Sequence, residues 1–288
     1  MPTLRQVKKR IKSVISTRQI TKAMEMVAAA KLRKAQMRIE QVRPYSEKLD
    51  QILVHLSAAA SGGLSHPFFE KREVRKQILV LVTSDRGMCG SFNSNLIRRA
   101  NNWLADKDPD KVELVLIGKK GVDFFKSRNW PIVERFIDWS GNLDYDKGRQ
   151  VVDFLTGRFL SGETDDIRMI YTQFLTMTRY KIVEAPYLPV ERPEVDDTGA
   201  ANLDYIFEPS PEVIFGDLMP KYALTKMITA LADSFAAEHG TRMMAMGSAT
   251  KNAGEMIDAL TLQYNKARQA AITKELTEIV SGAEALSG

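Results

Sequence analysis

Val7, Val14, Thr21, Ala28, Ala35, Val42, Leu49 and Leu56 fall seven residues apart along LRQVKKRIKSVISTRQITKAMEMVAAAKLRKAQMRIEQVRPYSEKLDQILVHL, residues 4–56. A companion row runs through Leu4, Ile11, Arg18, Glu25, Leu32, Ile39, Ser46 and Leu53. The two rows sit three and four residues apart and are mostly apolar, which is the stripe of a helix built to pack along another helix. Arg18 and Glu25 break the second row, while Ile20, Met24 and Val27 supply an apolar face displaced around the helix. The stripe therefore turns near Thr21, where something must pack from another side. Pro44 removes one backbone donor, but the stripe resumes after it, which predicts a bend and not a stop. At 1.5 Å per residue this segment makes a rod of about 80 Å, too long for one compact domain to cover.

The other end of the chain mirrors the first. Pro209 and Pro211 mark a start, and apolar periodicity runs through Leu224, Ile228, Leu231 and Phe235, then Met246 to Leu260, then Ile272, Leu276, Ile279, Ala283 and Leu286. Gly240, Gly247 and Gly254 fall seven apart and put a missing side chain repeatedly on one face, which predicts close packing against the first helix. Two long helices entering and leaving one central domain at the same end predict an antiparallel coiled coil, with Val7–Ala35 against Met246–Leu286.

Between them the runs 77–83, 112–117, 166–172 and 181–185 read as buried strands, with a further strand at 132–137. Helical stretches at about 92–106, 119–128 and 146–160 separate them. Runs apolar on both faces with helices between them predict an α/β domain with a largely parallel sheet. A polar loop over 189–203 leads to an edge strand at Leu203–Phe207. The expected division is a helix over 1–60, a Rossmann-like α/β domain over 74–208 and a helix over 211–286.

The 288 residues carry a net charge of +5, yet Met1–Lys48 alone holds thirteen Lys/Arg against three Asp/Glu. A basic arm on a slightly acidic body calls for an acidic partner. Lys8, Lys9, Arg10, Lys12, Arg18 and Lys22 bring no base-reading motif or interleaved aromatics, and no Trp for a membrane surface. Acidic protein loops fit them best; a coiled-coil adaptor binding nucleic acid is the alternative. No run reaches the length of a membrane span, and the start lacks the apolar stretch of a secretory signal.

The loop Ser84-Asp85-Arg86-Gly87-Met88-Cys89-Gly90-Ser91 follows the first strand, where α/β sheets bind ligands, and Ser91 is placed to cap the next helix. Its glycines match neither a dinucleotide fingerprint nor a phosphate loop. A tight turn that packs or contacts a neighbour is the better reading. Three scattered histidines and one cysteine give no metal or triad spacing. Asp85, Asp165, Asp166, Asp196 and Asp197 read as ordinary loop and helix-start carboxylates. With Cys89 alone, no disulfide can form within the chain, so no response to cycling between dithiol and mild oxidant is expected, and a reversible effect traced to Cys89 would overturn that expectation.

Three blocks, in order, carry a resemblance: ITKAMEMVAA at 20–29, SDRGMCG at 84–90 and YNKARQAAITKELTEIVSGA at 264–283. Together they resemble the gamma subunit of the F-type ATP synthase, over essentially the whole length. The resemblance implies a rotor whose coiled coil rises inside a ring of three alpha and three beta subunits, and whose globular domain contacts epsilon and the membrane c-ring. It implies no catalytic residue, cofactor, metal or nucleic acid, and no direct insertion into the membrane. It places Lys22, Met24 and Glu25 toward the beta subunit's acidic lever region, with Arg268, Gln269 and Thr273 on the adjoining face of the C-terminal helix. It also implies a peripheral place on the cytoplasmic face of a bacterial inner membrane. Chloroplast members carry a cysteine-bearing insertion, and the lone Cys89 leaves no thiol pair for that switch.

Overall fold

A computed structural model describes residues 3–59, 66–191 and 210–287. Its elements are α1 (Leu4–Ala59), a 3-10 turn (Pro67–Phe69), β1 (Gln77–Val82), α2 (Phe92–Leu104), β2 (Val112–Ile117), α3 (Lys119–Phe125), β3 (Ile132–Phe136), α4 (Tyr145–Leu160), β4 (Asp166–Thr176), β5 (Arg179–Leu188) and α5 (Pro211–Ser287). Two compact units emerge, one of Ala29–Arg242 and one of Met1–Ala28 with Met243–Gly288. The expected Leu203–Phe207 strand and the loop from 192 onward lie outside the described residues.

In the larger unit the strands order as β3-β2-β1-β4-β5. β1 pairs in parallel with β2 and β4, β2 in parallel with β3, and β5 runs antiparallel to β4. Ile78, Val80 and Val82 of β1 join one core with Val151, Leu155 and Phe159 of α4, Leu53 and Leu56 of α1, and Phe215, Met227, Leu231 and Phe235 of α5. Leu79 and Leu81 alternate to the other face, where α2 packs on β1 and β4. Both faces are covered, which is why β1 is apolar at every position from Ile78 to Val82.

The last two strands are longer than their apolar runs suggest. β4 continues to Thr176 and β5 spans Arg179–Leu188, because antiparallel pairing from Ile167↔Leu188 to Thr176↔Arg179 holds polar residues the alternation had left out. β1 ends its pairing with β4 at Leu81↔Ile170. Beyond that point a side chain takes the place of a strand: the Ser234 hydroxyl of α5 accepts the Thr172 N–H at 3.1 Å and lies 3.4 Å from the Thr172 carbonyl oxygen. Helix α1 runs unbroken through Pro44, and α5 through Pro220. Pro211 opens α5, where its missing N–H costs nothing, and Ser210 accepts from Val213 N–H at 3.4 Å.

In the smaller unit the two helical segments run antiparallel. The hydroxyls of Thr21 and Thr250 lie 2.9 Å apart. A side chain added at Gly247 would meet the Glu25 carboxyl carbon at 3.6 Å, so the glycine makes room for that acid; at Gly254 nothing lies within 4 Å. Close packing therefore accounts for Gly247 and not for Gly254. Val7, Ala28, Met246 and Ala253 are buried. Carried along both helices at equal rise, this register sets Leu4 level with about residue 267.

That register corrects the expected seam. Ile272, Leu276, Ile279 and Val280 are 47–66% exposed, because α5 continues past the start of α1. Leu32 is 2% exposed. Leu32→Ala should accordingly cost about 2–5 kcal/mol, whereas Leu276→Ala should stay within about 0.5 kcal/mol, both read from urea denaturation of the full chain. A comparable loss at the two positions would contradict the register.

Candidate functional site

The carboxyl end of β1 is the position at which a sheet of this order accepts ligands. Here it is filled from within the chain. The Arg242 guanidinium of α5 reaches the loop after β1, donating to the carbonyls of Arg86 at 3.1 Å and Gly87 at 3.3 Å. Glu238, one turn earlier, pairs with Arg242 at 2.8 Å, and both side chains are nearly inaccessible. Burial raises the Glu238 carboxyl above its usual range, with Arg242 pulling the other way.

His239 completes the contact. Its Nε2 lies 2.9 Å from the Gly141 carbonyl oxygen, which only accepts, so Nε2 carries the proton; Nδ1 then faces the Arg242 guanidinium at 3.5 Å. Burial, reinforced by Arg242 and Lys31, pushes the imidazole down to about 4, against the Gly141 hydrogen bond. A histidine depressed in the folded state stabilises above the unfolded value near 6.5 and loses that contribution as pH falls toward 4. His239→Gln keeps a donor for Gly141 but does not titrate. Relative to the variant, the native chain should lose of order 3 kcal/mol between pH 6.5 and 4, measured by denaturant titration at each pH. A flat difference would refute the assignment. Comparing the two chains removes the opposing drift of Glu238 and of Asp233, whose carboxyl burial raises to about 6 against Arg43.

The loops around Arg242 are held by one carboxylate. Asp85 accepts the backbone N–H groups of Lys119, Asp138 and Ser140 at 2.7–3.2 Å. Asp138 and Ser140 adopt positive φ, a strain that this bracing supports; Met88 also adopts positive φ. Asp165 likewise accepts from the Arg75 and Lys76 N–H groups, and Asp166 meets Gln77 and Arg168. Cys89 is buried; burial raises its thiol, and Asn93 Nδ2 lies 3.2 Å from it. Ser91 stands before α2 without a side-chain cap; its hydroxyl instead receives the Asn95 amide at 3.1 Å. Among the described residues no group of three or more His, Cys, Asp or Glu is placed to hold a metal ion, and no helix is long and apolar enough to cross a membrane.

The resemblance implies partner contacts at Lys22, Met24, Glu25, Arg268, Gln269 and Thr273. The first three come together: Lys22 pairs with Glu25 at 3.2 Å, and Met24 is half-buried beside them. Arg268, Gln269 and Thr273 are exposed. They do not adjoin Met24. The register puts Met24 level with about residue 247, so Arg268 lies about 30 Å farther along α5. Glu238 and Arg242 were missed. Their only local signal is an acid four residues before a base in a stretch of small side chains, and the carbonyls that Arg242 reaches stand more than 150 residues away.

Fold and site together define a class of protein in which an α/β domain is inserted between two long terminal helices, with the last helix clamped over the carboxyl end of the sheet. The family model described as ATP synthase matches residues 3–286. The chain is 44% identical to the ATP synthase gamma chain of Pelotomaculum thermopropionicum, over 99% of this chain and all of the relative. It is 46% identical to that of Anaeromyxobacter dehalogenans, over 99% of this chain and all of the relative. Among solved structures, a chain of the Euglena gracilis mitochondrial ATP synthase (OSCP/F1/c-ring, rotational state 3) matches 98% of this chain and 94% of its own length, at a TM-score of 0.70 and 19% identity. A chain of the Tetrahymena thermophila central stalk/c-ring structure covers 80% and 99%, at 0.60 and 23%. These two likenesses bear on the fold. The chain belongs to the ATP synthase gamma family.

Proposed function

We propose that this chain is the central rotor shaft of a bacterial-type ATP synthase, coupling ion flow through the membrane sector to ATP synthesis or hydrolysis at the beta-subunit sites. It contributes no catalytic residue of its own. Its partners are three alpha and three beta subunits around the shaft, with epsilon and the c-ring at the globular domain, and it works as a peripheral subunit at the cytoplasmic face of the inner membrane. Residues 1–60 and 211–286 serve as the shaft and 74–208 as the docking domain.

One observation carries the reading. The end of α5 presents Ile272, Leu276, Ile279 and Val280 to solvent with no α1 beside them, and an apolar stripe on a lone helix stabilises nothing until a partner covers it. The head ring is that partner. Arg268, Gln269 and Thr273 meet it at the start of this segment, and Lys22, Met24 and Glu25 face the acidic lever farther down. Co-purification tests the assignment: one copy of this chain per three copies of each head subunit is expected, and stable isolation without them would overturn it. Binding to duplex DNA that survives competition with head subunits would favour the nucleic-acid adaptor instead.

A further inference from the structure

Helix α1 carries a second charged feature, inside the larger unit and separate from the shaft contacts. Lys31, Lys34 and Arg38 are spaced three and four apart, so they share one face. They line a cleft of about 60 Å³ whose opposite wall is Gly141, Asn142 and Leu143 and whose floor includes Ala232 and Phe235. Like charges at this spacing repel and weaken the helix that bears them. Nearby acids answer them only in part, Glu238 being attracted to Lys31. Glu238 is engaged by Arg242, and Asp144 accepts the N–H groups of Asp146 and Lys147 at the start of α4. Lys31 is half-buried and donates to the Ser140 carbonyl at 3.2 Å, which pins one cation at the rim. Among the described residues, Lys34 and Arg38 show no ion pair and no side-chain hydrogen bond.

The opposite wall is built with some strain. Asp138 and Ser140 are non-glycine residues at positive φ, followed by Gly141 at φ 70°, and this turn carries Asn142 into the cleft lining, its backbone N–H held by the Trp139 carbonyl at 2.9 Å. Such backbone conformations persist where the surroundings over-determine them. The volume holds about four or five water-sized atoms, which matches one tetrahedral oxyanion. Arg38 offers a planar pair of donors and Lys34 a mobile point charge, a combination suited to phosphate oxygens. The apolar floor lowers the local dielectric and strengthens both attractions.

We propose that this cleft binds one small tetrahedral oxyanion, with inorganic phosphate as the defining ligand and Lys31, Lys34 and Arg38 as the cationic wall. The site stands independently of the rotor reading. It places an anion against α1 and the 139–143 turn at once, and so fastens the helix to the sheet's loops when phosphate is abundant.

The test uses the full chain and isothermal titration with sodium phosphate, ionic strength being held constant with chloride. One saturable site is expected. Lys34→Gln and Arg38→Gln should each weaken it at least about tenfold, while Arg33→Gln, which removes the same charge from an exposed position outside the cleft lining, should leave it unchanged. ADP titrated in parallel identifies the source: competition with phosphate and tighter binding, lost in the same two variants, would assign the site to nucleotide phosphates. Absence of saturation, or equal weakening by Arg33→Gln, would overturn the proposal, because either result reduces the effect to general attraction of anions to a basic helix.

Discussion

Gly118→Ala should leave almost no correctly folded chain. Gly118 sits between β2 and α3 at φ 92° and ψ 139°, a combination essentially reserved for glycine. Its N–H donates to the Phe136 carbonyl at 2.8 Å, tying β3 to the end of β2. An added Cβ would press into the Thr83 backbone, 2.6 Å from its carbonyl carbon and closer still to its oxygen. Thr83 has no room to withdraw. Its N–H is held by the Ile117 carbonyl at 2.7 Å, and its hydroxyl receives the Gly121 N–H at 2.9 Å. Backbone strain and a clash against fixed backbone add, so a loss above about 4 kcal/mol is expected. The soluble fraction and the urea midpoint report it. Gly254→Ala is the control: with open space around the site, the substitution should be neutral or gain up to about 1 kcal/mol from helix propensity. A soluble Gly118→Ala chain with a native midpoint would mean that the β1–β2 ends are not packed as described.

Met24→Lys should uncouple more than it unfolds. Met24 is half-buried, and the neighbouring carboxylate of Glu25 is already engaged by Lys22 at 3.2 Å. A new ammonium therefore has no free acid beside it on α1 and is available to carboxylates on a partner. A charged hydrogen bond is worth about 1.5–3 kcal/mol. Formed in one rotor orientation and broken in the next, it slows the step by about 10–150-fold. ATP hydrolysis and ATP-driven ion pumping should be measured on the same membranes at matched subunit content. Pumping lost out of proportion to hydrolysis is the expected outcome. Equal loss of both, in step with lost assembly, would make Met24 a packing residue only.

Much of this architecture was legible in local pattern. β1 and β2 announce themselves because both of their faces are covered, and the terminal helices because their apolar rows persist for tens of residues. The failure of the second row at Arg18 and Glu25 marks no change of neighbour within the chain: Thr21 and Glu25 both face α5, Glu25 over Gly247, while Ile20 and Val27 of the displaced apolar face stay exposed. What stayed hidden depends on register and distance. An apolar row through Leu276 looks the same whether its partner is the other helix of this chain or another protein, and only the offset of Thr21 against Thr250 decides between them. The length of β5 was hidden because its pairing with β4 is satisfied through backbone groups, whatever the side chains. The clamp at Arg242 was hidden because guanidinium-to-carbonyl contacts leave no periodic trace.

The Ser234 hydroxyl that stands beside Thr172 has a consequence for the chain before it meets its partners. A strand whose neighbour ends early leaves an open N–H and C=O pair, and such a pair is a template for a strand from another molecule. Covering it with one hydroxyl from α5 closes that template while the subunit is still alone. Ser234→Ala would therefore show its effect first in yield, as self-association of freshly made chains, with the completed complex far less affected.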